Sequence, residues 1–115
     1  DDALVDMIVR PAADPGALDA FVAIFTGDPG PRPEGIVAQI DDDLPIAVIW
    51  GDADIVTPIN GPVGTFFRQL PAERPNATFT VLPDTGHVPF DDRPDLALPP
   101  LLDFLDSLEE IKKCT

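Results

Sequence analysis

The sequence predicts an α/β fold in which two parallel strands are flanked by helices, and three observations predict it. Residues 44–50, LPIAVIW, form a continuous apolar, β-favouring run, as expected of a strand covered on both faces of a parallel sheet. Residues 77–82 alternate Thr78 and Thr80 with Phe79 and Val81, the period of a second strand. Each run leads through a loop into apolar residues at helical spacing, and such alternation implies a parallel sheet with right-handed crossovers.

From the N-terminus, ALVDMIV (3–9) carries an apolar face at helical spacing and predicts a short helix stopped by Pro11. In DPGALDAFVAIFTG, Asp14 is the expected N-cap and Pro15 the first helical residue. Leu18, Phe21, Val22 and Phe25 fall at i, i+3, i+4 and i+7, and Gly27 is the stop. Residues 28–33, DPGPRP, read as a turn-rich connection, and 34–40 as a two-turn helix. Asp41, Asp42 and Asp43 read as a solvated loop rather than a metal cluster, because consecutive aspartates point apart and no spaced ligands follow.

Beyond the first strand, Ile59, Val63, Phe66, Phe67 and Leu70 predict a helix over 58–70, weakened by Gly61, Pro62 and Gly64. A Pro-rich stretch, 71–75, precedes the second strand. The last helix, from 94 or 98 to 111, is expected to turn Leu98, Leu101, Leu102, Leu105 and Leu108 to one face, with Pro99 and Pro100 in a first turn or at a kink. Residues 1–43 thus form a helical segment, and 44–115 a βαβα unit.

Composition narrows the function. The chain has 115 residues, 44% of them hydrophobic and spread along its length, so a packed unit is expected rather than a disordered acidic tail. Net charge is −14, and the only lysines, Lys112 and Lys113, sit at the C-terminal end. Nucleic acid and anionic membrane surfaces are therefore poor partners, since phosphate affinity needs clustered Lys and Arg. A single cysteine, Cys114, permits neither an internal disulfide nor a Cys-based metal site, and no metal or organic cofactor is implied. No stretch has transmembrane length and no signal or transit segment is visible. Asn76-Ala77-Thr78 fits the glycosylation pattern, which also recurs by chance.

In a parallel sheet both strands end at one edge, where open α/β sheets build their sites. Asp54 lies in the loop after the first strand, and His87, the only histidine, in the loop after the second. A carboxylate accepting from imidazole Nδ1 fixes the tautomer and stabilises the imidazolium formed when Nε2 takes a proton, so the pair is two-thirds of a nucleophile-activating triad. Gly51 and Gly86 suit the tight turns such loops need. Asp52 and Asp84 read as turn formers, and Asp91 and Asp92 as caps of the last helix. Trp50, Val88 and Phe90 are the candidates for lining an apolar substrate pocket.

PIAVIWGDADIVTP followed by NATFTVLPDTGHVPFDDRPD and an apolar terminal helix resembles the C-terminal end of an α/β-hydrolase. Gly51-Asp52-Ala53-Asp54 matches the G-x-x-D turn after that family's acid-bearing strand, and Gly86-His87 its G-H loop. The resemblance implies that Asp54 is the triad acid and His87 the general base. W-G-D-x-D-x-x-x-P with G-H-x-P-x-D-x-x-P is most similar to the plant and algal branch that includes pheophytinase-like esterases. That likeness implies a bulky apolar ester substrate, and a plastid location if the branch is right. Within it, ADPGALDAFVAIFTGDPGPRPEGIVAQI resembles the end of the helical cap. Ile55 departs from the pattern, since Pro commonly follows the acid.

The family's nucleophile, in G-x-S-x-G, precedes the acid and the histidine, and no such elbow occurs here; the only serine, Ser107, is in the terminal helix. With neither attacking atom nor oxyanion donors, these residues are expected to be inactive alone. The chain, which begins with Asp, reads as the C-terminal portion of a longer enzyme. The competing class is a non-catalytic hydrolase-fold binding protein whose nucleophile has been lost.

Overall fold

The computed structural model describes residues 2–27 and 30–113. Asp28 and Pro29 of the expected turn, and Cys114, lie outside the described residues. The chain forms two compact units, 1–36 and 37–115.

In the first unit, α1 (Asp2–Val9) passes into a 3₁₀ turn, Arg10–Ala13, that absorbs Pro11. Asp14 is not the N-cap of the next helix. Its own N–H donates to Pro11 O at 3.1 Å, closing the 3₁₀ turn, and its carbonyl accepts from Ala17 N–H at 3.1 Å. Asp14-Pro15-Gly16-Ala17 therefore forms a hydrogen-bonded turn, with Gly16 at φ 85°, ψ −3° where a type II turn needs positive φ. The turn delays α2 to Ala17–Thr26. It ends as expected at Gly27, whose N–H donates to Ala23 O at 2.8 Å. Phe21 and Phe25 meet with ring centroids 4.7 Å apart, and the stripe of Leu18, Phe21, Val22 and Phe25 is exposed. The short α3, Pro33–Val37, leads into the second unit and stops before the expected residue 40.

The second unit is built on two parallel strands, β1 (Ile46–Gly51) and β2 (Ala77–Leu82), paired from Ile46↔Ala77 to Gly51↔Leu82. Between them runs α4 (Pro62–Glu73). It starts later than residue 58 because 58–61 close a turn, with Gly61 N–H on Pro58 O at 2.7 Å, leaving Pro62 at the position where a missing N–H is harmless. The helix passes through Pro71 in its last turn. After β2 come a single turn, α5 (Pro89–Asp92), and α6 (Pro94–Lys113), which carries Pro99 and Pro100 inside rather than at its start.

Strand alternation sorts these helices onto two faces. Ile46, Val48, Trp50, Ala77 and Phe79 share the face covered by α4, where Trp50 packs 6.0 Å from Phe67 and 6.2 Å from Phe79. Val37, Leu70 and Ala77 form the buried centre of that layer, with Ile40, Ile46, Phe66 and Phe67 against it. Thr78 and Thr80 point the other way, toward Pro100 and Phe104 of α6. The leucine stripe expected on α6 is rotated: Ala97 is fully buried, Leu101, Phe104 and Leu108 are half-buried, and Leu98, Leu102 and Leu105 are exposed. A small residue at 97 lets the helix backbone approach the sheet, so the contact follows 97, 101, 104 and 108.

Residues 37–43, grouped by sequence with the N-terminal helices, are held in the second unit by Arg74. Its guanidinium is buried and donates to the carbonyls of Val37 (3.1 Å), Ile40 (3.3 Å) and Asp41. Asn76 Nδ2 adds bonds of 2.8 Å to the carbonyls of Asp42 and Leu44. Both amide hydrogens of Asn76 are thereby used, which argues against glycosylation there. Arg74→Leu is expected to lower stability by about 3 kcal/mol in urea unfolding, because buried carbonyls lose a charged donor. Asp42→Ala, which removes an exposed partner 3.5 Å from the guanidinium, is expected to leave the midpoint unchanged.

Candidate active site

Both strands end at the same edge, and the loops that leave them are bonded together. Asp52 N–H donates to Leu82 O at 3.0 Å, and Ala53 N–H to Thr85 O at 3.0 Å. Gly51 makes this approach possible, since a Cβ there would stand 2.2 Å from Thr85 O and 2.5 Å from Gly86 O. Thr85 is fully buried, with its hydroxyl donating to Pro83 O at 2.9 Å. Asp84, at φ 49°, takes the left-handed turn conformation that Asp tolerates better than most residues. The histidine loop is thus laid across the end of β1.

Asp54 turns inward from the first loop, its side chain 5% exposed. Oδ1 accepts the N–H groups of Val56 and Thr57, both at 2.8 Å, while Trp50 Nε1–H donates to Thr57 O at 3.1 Å. The indole therefore buttresses the loop that holds the acid. Oδ2 is 2.9 Å from His87 Nδ1. Burial pushes the Asp54 carboxyl up. The hydrogen bond from His87, the Thr57 and Val56 amides and the charge of the imidazole outweigh it, leaving the pKa below the usual aspartate value. An ionised carboxylate only accepts, so the ring donates to it from Nδ1, and Nε2 is the nitrogen not bonded to Asp54. The His87 side chain as a whole is 49% exposed.

Trp50, Asp54 and His87 line one cavity of about 160 Å³ with Ile49, Gly51, Thr57 and Pro89. Val88 and Phe90 are 52% and 43% exposed and do not line it. Pro89, between them, is the lining residue. Ile55 is in solvent, and the turn it belongs to is closed by the Val56 and Thr57 amides on Asp54. Asp52 is exposed, as a turn former would be.

Asp92 does not cap α6: its Oδ2 accepts Gly86 N–H at 2.7 Å, next to the histidine. Sequence reasoning missed this bond, and it missed Thr57 and Pro89. Only the Asx-turn pattern of Asp54 with the amides two and three residues on was readable in advance. Ser107, far along α6, donates to Phe104 O at 2.6 Å and lines a different cavity with Thr78 and Thr80. Among the described residues no group of three His, Cys, Asp or Glu side chains is placed to hold a metal ion. No described helix is long and apolar enough to cross a membrane. Comparison with protein-family models, with curated proteins and with solved structures gives no match.

The unfolded chain binds a proton at Asp54 at higher pH than the folded chain does. The carboxylate's contribution to stability is therefore complete above the ordinary value of about 3.9 and is lost as pH falls through the lower folded value. Acid titration of unfolding free energy is expected to show a shallower loss between pH ~5 and ~2 in Asp54→Asn, whose amide does not titrate, than in the wild type. Gly51→Ala is expected to destabilise the chain by about 1–3 kcal/mol through overpacking. The Nδ1–H of His87, bonded to Asp54 at 2.9 Å, is expected to give a downfield proton resonance in the wild type, and Gly51→Ala to abolish it, because the loop carrying the ring is displaced.

Proposed function

We propose that Asp54 and His87 are the acid and general base of a serine-type α/β-hydrolase acting on carboxylic esters, with the nucleophile supplied by residues outside this sequence. The observation that carries the reading is the 2.9 Å bond between a buried, ionised carboxylate and the Nδ1 of a half-exposed histidine, at the carboxyl edge of a parallel sheet. Asp54 holds Nδ1 protonated and directs Nε2 outward. Nε2 takes the proton of the attacking hydroxyl as its oxygen bonds the ester carbonyl carbon. The imidazolium, stabilised by Asp54, then returns that proton to the leaving alkoxide as the C–O bond breaks. Water repeats the sequence on the acyl-enzyme. The apolar walls offered by Ile49, Trp50 and Pro89 favour an apolar ester, and the motif likeness to pheophytinase-like esterases favours a bulky one.

The test is labelling by a fluorophosphonate of the polypeptide that carries these residues together with a serine elbow. Wild type is expected to label rapidly, and ester turnover by His87→Ala and Asp54→Asn to fall about 10⁴-fold or more. Equal, rapid labelling of wild type and His87→Ala would remove His87 from the role of base.

A further inference from the structure

We propose that Asp92 is a positioning residue for His87, an inference that rests on the function proposed above. His87 is half-exposed, so packing alone does not set its ring, and apart from the bond to Asp54 its place depends on the backbone that carries it. That backbone is pinned on the side of Thr85, whose carbonyl takes Ala53 N–H at 3.0 Å. At the next residue, Gly86 N–H donates to Asp92 Oδ2 at 2.7 Å, a short, charge-assisted bond. Asp92 reaches back because residues 88–93 coil: Val88 O accepts Asp91 N–H at 3.1 Å and Asp92 N–H at 2.9 Å, and Pro89 O accepts Arg93 N–H at 2.9 Å. Residues 86–92 are thus closed into a ring by one carboxylate, with His87 projecting from it. Loss of that carboxylate frees the amide beside the histidine and lets the imidazole swing away from Asp54.

The test compares Asp92→Ala, Asp92→Asn, Gly86→Ala and Asp91→Ala. Gly86→Ala perturbs the same bond without removing the carboxylate, since a Cβ there meets Asp92 Oδ2 at 3.3 Å. Asp91 is the exposed neighbour on the same turn. One readout is the Nδ1–H resonance of His87 in this chain, which needs no turnover; the other is kcat and KM in the nucleophile-bearing polypeptide. Asp92→Ala is expected to lose the resonance and to lower kcat about 10- to 100-fold with KM within about twofold. Gly86→Ala should shift both the same way by less, Asp92→Asn should restore most of both because its Oδ1 still accepts, and Asp91→Ala should change neither. A wild-type resonance in both Asp92→Ala and Gly86→Ala overturns the proposal, as does a loss in Asp92→Ala that Asn does not restore. If Asp54→Asn leaves kcat unchanged, the hydrolase reading fails instead, and the resonance still decides whether Asp92 holds the ring.

Discussion

The parallel pairing of β1 with β2, in the register that sets Gly51 beside Leu82, is the constraint on which the site depends. It brings two loops to one edge, so that a carboxylate soon after one strand and an imidazole soon after the other meet across a separation of 33 residues in sequence. An antiparallel pair would have sent those loops to opposite ends. Gly51 completes the constraint. A bare Cα at the strand end lets Thr85 and Gly86 cross over it, and the Ala53 N–H to Thr85 O bond ties the loops directly. The acid–base geometry is therefore a property of the sheet edge, and the two side chains inherit it.

Burial divides the work between the two residues. A buried carboxylate is stable only when its lone pairs are met, and Asp54 meets them with two backbone amides on one oxygen and the imidazole on the other. It is consequently fixed, ionised and acceptor-only. His87 is the reverse: exposed on one side, anchored through one nitrogen, and carried on a loop whose backbone is itself bonded at Thr85 and Gly86. In the proposed roles, rigidity lies with the acid and access with the base. That asymmetry is what proton transfer at the outer nitrogen requires, since the ring must be oriented without being enclosed.

Much of this was legible in the sequence where a local pattern coincided with a tertiary need. The apolar run IAVIW and the alternation in ATFTVL gave both strands within two residues, and their order placed Asp54 and His87 at one edge. Boundaries failed where turn chemistry competed with helix signals. At Asp14 the same Asp-Pro-Gly letters serve an N-cap or a type II turn, and the preceding 3₁₀ turn decides between them. The buried face of α6 departs from the leucine stripe because the small Ala97 fits against the sheet, a tertiary fact. Arg74 and Asp92 were unreadable for a different reason. Each bonds to backbone groups outside the spacing of any local turn or cap, and such bonds leave no signature in the sequence.

The uncovered apolar surface bears on how the sheet would be completed. Ile46, Ala47, Val48, Ile49 and Trp50 are each only half-buried although every one is apolar, and β1 pairs with a single strand among the described residues. Such a run is suited to a central strand with neighbours on both sides, and leaving it uncovered forgoes roughly 25 cal/mol for each Å² of apolar area. A further strand laid parallel against the free side of β1 would cover it. By the same geometry that joins Asp54 to His87, that strand would end at the same edge. The free side of β1 thus opens onto the same sheet edge that carries Asp54 and His87.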